Sequence, residues 1–102
     1  MKLLTVIIHE QARDSFVELL NSQKEILSWT ITPCEGHAFG NQANPFETSR
    51  DLVLGYVPRL KFEILLPERV LEDVIDRISL CRSCIEGTGL WYYTEIKETG
   101  TF

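Results

Sequence analysis

The chain has 102 residues, 44% of them hydrophobic, and sets fifteen acidic side chains against ten basic ones for a net charge of −5. That length suits one compact domain spanning residues 1–102 and is too short for two. The acidic balance argues against a nucleic-acid binder, which needs a basic face for phosphate, and no apolar run reaches the roughly 18–20 residues of a membrane helix.

Lys2 to His9 is almost continuously apolar through Leu3, Leu4, Val6, Ile7 and Ile8, which predicts a strand buried on both faces. Thr5, His9 and Glu10 break that run too early for a signal peptide, so a cytoplasmic location is expected. His9 reads as a capped or solvated strand end. Ala12, Phe16, Leu19 and Leu20 then follow helical spacing as far as Asn21-Ser22. From about Ile26 to Cys34, Leu27, Trp29 and Ile31 alternate with Ser28, Thr30 and Thr32, the pattern of a half-buried strand.

His37 to Val57 carries Gly40, Asn41, Asn44, Pro45 and Gly55 together with Phe39, Phe46, Leu52, Val53, Leu54 and Tyr56. So long a connection inside a compact domain is commonly functional. Its aromatic and aliphatic residues suit a loop that docks on a partner or forms a short helix near Ser49–Leu54. After it, Leu60, Phe62 and Ile64 alternate with Arg59, Lys61 and Glu63, giving a strand with one charged face. Pro67 opens a helix whose apolar positions are Val70, Leu71, Val74, Ile75 and Ile78, with acids early and Arg77 and Arg82 late, in keeping with the helix dipole. Leu90 to Ile96 forms the last strand.

Two strand-helix-strand halves predict an α+β, ferredoxin-like βαββαβ sandwich: a four-stranded antiparallel sheet with both helices on one face and a long loop between strands 2 and 3. The helix-free face also carries large apolar side chains, from Leu3 and Ile7 and from one pair of the aromatic run Leu90-Trp91-Tyr92-Tyr93. A homo-oligomer that buries this face is therefore expected. The three cysteines cannot all pair within the chain, and free thiols are expected in the cytoplasm.

The segments Lys2-Leu3-Leu4-Thr5-Val6-Ile7-Ile8, Trp29-Thr30-Ile31-Thr32 with Gly36, Val57-Pro58-Arg59-Leu60-Lys61-Phe62-Glu63-Ile64 with Pro67, and Gly87-Thr88-Gly89 before Leu90-Trp91-Tyr92-Tyr93 occur in a telling order. In that order and spacing the chain resembles the PII signalling proteins. The likeness is closer to the small PII-like proteins of unknown function often found beside heavy-metal efflux pumps of the resistance-nodulation type. The resemblance implies a non-enzymatic regulator: a homotrimer with its sheets packed inside, effector clefts between subunits, and a protruding loop that contacts a target protein, a membrane transporter among the candidates. By position it implies effector contacts from Thr30, Gly36, Arg59, Glu63, Gly87 and Gly89, and partner contacts from Phe39, Phe46, Arg50 and Tyr56.

Two departures bear on the ligand. PII clefts take adenine nucleotides, yet Leu90 stands where the family has a lysine, and the arginines that follow its fourth strand are absent, leaving Lys97. At roughly 1.5–3 kcal/mol for each lost charge-assisted hydrogen bond, these changes argue against tight ATP binding. Tyr56 lies too near the third strand to act as the family's modified tyrosine.

Cys34-Glu35-Gly36-His37 and Cys81-Arg82-Ser83-Cys84 have metal-ligand spacing, and thiolate with imidazole suits zinc or copper. Cys34, His37, Cys81 and Cys84 thus support an alternative, a soft-metal sensor or chaperone linked to metal efflux. Against it stands the favoured reading, in which Cys81 and Cys84 are small apolar fillers at a helix end and His37 is a solvated loop residue. The sequence holds no supported nucleophile-base pair and no Walker-type phosphate loop, so catalysis is not expected.

Overall fold

The computed structural model describes residues 1–37, 56–81, 84 and 89–102. Its elements are β1 (Lys2–His9), a 3-10 turn (Glu10–Ala12), α1 (Arg13–Asn21), β2 (Ser28–Gly36), β3 (Val57–Leu66), α2 (Glu68–Leu80) and β4 (Leu90–Glu95). The strands form one antiparallel sheet in the order β2-β3-β1-β4. Each helix follows a strand and returns the chain to a position one strand away, with β3 between β1 and β2 and β1 between β3 and β4. This is the ferredoxin-like sandwich that the repeated strand-helix-strand pattern predicts.

Period-two alternation decides which side chains meet the helices. Leu4, Val6 and Ile8 of β1 and Leu60, Phe62, Ile64 and Leu66 of β3 join Phe16 and Leu20 of α1 and Val70, Leu71, Val74 and Ile78 of α2 in one core. Both helices therefore cover the same face. Phe62 is the centre of this contact, its ring centroid 4.5 Å from that of Phe16 and 6.1 Å from that of Trp29. The opposite face carries Leu3, Thr5, Ile7 and His9 from β1, Arg59, Lys61, Glu63 and Leu65 from β3, Thr30, Thr32 and Cys34 from β2, and Leu90 and Tyr92 from β4.

Local chemistry sets the element ends. His9 caps the 3-10 turn, its Nδ1 accepting the Gln11 N–H at 3.1 Å, and it is fully buried, so of the two sequence readings the capped one holds. Pro67 has φ −67° and ψ 145°, an extended backbone that makes it the residue before α2 and not its first turn. The helix starts one residue later than expected. The proposed short helix near residues 49–54 falls outside the described residues.

The two edges of the sheet differ. The Leu27 N–H bonds to the Leu65 carbonyl at 2.9 Å, and the Ile96 N–H to the Met1 carbonyl at 3.0 Å, extending the ladders past the assigned strands. Yet every residue of β4 is exposed, including Leu90, Trp91, Tyr92 and Tyr93. Within one chain this edge strand therefore exposes large side chains on both faces. No helix among the described residues is long and apolar enough to cross a membrane.

Candidate functional site

Register brings three distant residues into one row. Cys34 of β2 lies opposite Arg59 of β3, and Arg59 lies opposite His9 of β1, all on the helix-free face. The row sits at the end of the sheet where β2 stops and β3 begins. Arg59 is only 3% exposed and His9 is fully buried. The charged face expected of β3 is therefore not uniform: Lys61 and Glu63 are half-exposed and lie 3.8 Å apart, while Arg59 is withdrawn from solvent.

Gly36 explains how the guanidinium is accommodated. A Cβ at Gly36 would collide with the Cδ and Nε atoms of Arg59, so the arginine side chain passes through the space that a side chain on the neighbouring strand would fill. This is close approach to a backbone, one of the uses of glycine. Keeping a charge so buried requires partners, and the arginine is engaged within the fold.

The expected effector residues do not form one patch in a single chain. Gly36 and Arg59 adjoin. Gly89 precedes β4 at the same end of the sheet, since Leu90 pairs with Ile7, but β1 separates β4 from β3, a lateral distance of roughly 10 Å at ordinary strand spacing. Thr30 and Glu63 face each other across β2 and β3, about 13 Å further along the strands from the Arg59 row. Gly87 lies outside the described residues, as do Phe39, Phe46 and Arg50. Tyr56 is half-buried, with its ring centroid 6.0 Å from that of His37.

The cysteines divide differently from expectation. Cys81 and Cys84 are joined in a disulfide and Cys34 is free. The expectation of three free thiols is corrected for two of them. The physical reason is proximity: the Cys84 N–H bonds to the Cys81 carbonyl and their Cα atoms lie 5.3 Å apart, within the usual range for such a bond. Cys84 packs in the core among the helix-facing residues, whereas Cys34 is on the other face, so the sheet stands between the two expected metal-ligand pairs. His37 Nε2 lies 3.2 Å from the Glu35 carboxylate. No group of three or more His, Cys, Asp or Glu side chains gathers in metal-binding geometry among the described residues.

A second feature appears on the helix side. Trp91 and Tyr93 stack at 6.5 Å with an interplanar angle of 8° and face α2 across a groove lined also by Lys2, Glu68, Leu71, Glu72, Ile75 and Asp76. Sequence reasoning left open which aromatic pair faces the helices; pairing of Trp91 with Val6 and of Tyr93 with Leu4 settles it. At one end of the groove Lys2 bonds to Glu95 at 2.8 Å and approaches Glu68 at 3.7 Å. The hydrogen bond to Glu95 raises the Lys2 pKa above its ordinary value, and the same bond lowers that of Glu95.

No protein-family profile and no curated protein matches the chain. Among solved structures it is similar to a DUF3240 family protein from Shewanella baltica OS155, with a TM-score of 0.75 over 99% of this chain and 94% of that one, at 18% sequence identity. At that identity the likeness speaks to the fold.

Proposed function

We propose that this chain is a PII-like regulatory protein that works by binding and not by catalysis. In this reading three copies pack through their helix-free faces, and a small effector sits in the cleft between subunits near Gly36, Arg59 and Gly89. Its binding alters the segment 38–55, which engages a protein target. One observation carries the reading: a buried arginine held under a backbone glycine at the end of the sheet where the chain leaves for residues 38–55 and returns. The gap between Gly36 and Gly89 within one chain also suits a cleft completed by a neighbour. Apolar side chains of Leu3, Ile7, Leu65, Leu90 and Tyr92 on the helix-free face support the packing of copies against one another.

Charge narrows the effector. The cations at the described part of the cleft end are Arg59, which is buried, and Lys61, which lies 3.8 Å from Glu63, and Leu90 adjoins Gly89 with its apolar side chain exposed. A triphosphate would meet too little positive charge there, so ATP fits poorly. A ligand with one anionic group fits better, and AMP is the informative probe. Calorimetric titration of AMP and ATP into the wild type and Arg59→Gln tests this. The reading expects AMP to bind more tightly than ATP and the variant to lose at least tenfold in affinity, about 1.4 kcal/mol. Binding unchanged in the variant, or no binding of either nucleotide, counts against it.

The soft-metal alternative draws on Cys34 and His37 alone while Cys81 and Cys84 are bonded to each other. It requires reduction of that bond and ligands from a second subunit.

A further inference from the structure

The Cys81–Cys84 pair stands apart from the cleft proposal, on the helix side of the sheet. Cys81 ends α2, its N–H donating to the Ile78 carbonyl at 3.0 Å, and the Cys84 N–H donates to the Cys81 carbonyl at 3.0 Å. These backbone bonds hold the two cysteines beside each other, their Cα atoms 5.3 Å apart. Two thiols so held have a high effective concentration toward each other, and the bond can close again after opening. Burial distinguishes the partners: Cys84 is completely enclosed in the core, whereas Cys81 is partly exposed. Cys34, on the far face of the sheet, is separated from Cys84 by the sheet itself.

We infer that Cys81 and Cys84 form a reversible dithiol–disulfide couple, with Cys81 as the sulfur that exchanges with a low-molecular-weight thiol such as glutathione. Reduction begins when a glutathione thiolate attacks Cys81 Sγ, forming a mixed disulfide and expelling Cys84 as thiolate, which takes a proton from water. A second glutathione thiolate attacks the glutathione sulfur of that mixed disulfide. It releases Cys81, which is protonated in turn, and yields glutathione disulfide. Two electrons pass from two glutathione molecules to the protein disulfide, and the reverse sequence restores it. A cysteine pair separated by two residues, with one member partly exposed and the other enclosed, suits such exchange. The inference does not depend on the PII-like reading.

The test uses full-length Cys34→Ser protein, so that the couple is the sole source of thiols. It is equilibrated across a series of reduced-to-oxidised glutathione ratios, quenched with acid, and labelled with a maleimide whose added mass is counted. Both thiols should vanish together in one step within the series. In oxidised glutathione, a further Cys84→Ser change should leave one glutathione on Cys81, while Cys81→Ser should leave Cys84 unmodified. A bond that survives the most reducing buffer would make the pair a fixed staple and overturn the inference. Thiols that persist in excess oxidised glutathione, or modification of Cys84 in preference to Cys81, would overturn it as well.

Discussion

Gly36 and Arg59 depend on each other. Gly36→Ala places a methyl group where the Arg59 side chain runs, and overpacking of this kind costs about 1–3 kcal/mol. Urea denaturation should report that loss, and Gly36→Ala combined with Arg59→Ala should recover part of it, because the second change removes the atoms struck by the first. Independent, additive losses would show that the collision is relieved elsewhere. The Lys2–Glu95 pair supplies a pH-dependent contribution of defined sign. Glu95 has a lowered pKa in the fold, so its share of stability is present above the ordinary value of 4.5 and fades as pH falls through the lowered one. Lys2 has a raised pKa, so its share is present below 10.5 and is lost as pH rises through the higher value. Melting temperatures of Glu95→Gln should therefore fall below those of the wild type at neutral pH and converge with them in strong acid.

At the scale of elements, the burial pattern of β3 was legible because Leu60, Phe62 and Ile64 repeat at the strand period while α2 repeats at the helix period directly after Pro67. The core follows from those two periods. Phe62 touches both α1 and the Trp29 margin, and Phe62→Ala should cost about 3–5 kcal/mol, read as a shift of the urea midpoint with little change in slope. What the sequence did not reveal is cross-strand in origin. An arginine at an alternating polar position reads as solvated, and only its placement beneath Gly36 withdraws it from water. His9 likewise was ambiguous until its ring was seen to accept the Gln11 N–H. The disulfide was hidden for a different reason: two cysteines at a helix end offer the same spacing whether reduced, bonded or ligating a metal.

At the scale of the whole molecule, β4 is the element that a single chain leaves unfinished. It forms one edge of the sheet with Leu90 and Tyr92 exposed on the helix-free face, and exposed edges with large apolar groups favour association. Tyr92 is 48% exposed in one chain, so replacing it with glutamate leaves the monomer core intact while placing a charge in the proposed interface. Tyr92→Glu should keep the far-ultraviolet circular dichroism of the wild type and lower the mass in solution. The clefts proposed near Gly36, Arg59 and Gly89 exist only if copies assemble around a threefold axis. Sedimentation equilibrium of the wild-type protein therefore tests the account most directly. A chain of 11.7 kDa should sediment as a single species of about 35 kDa, three copies. A monomer or a dimer would leave no threefold cleft for an effector and would contradict the PII-like account.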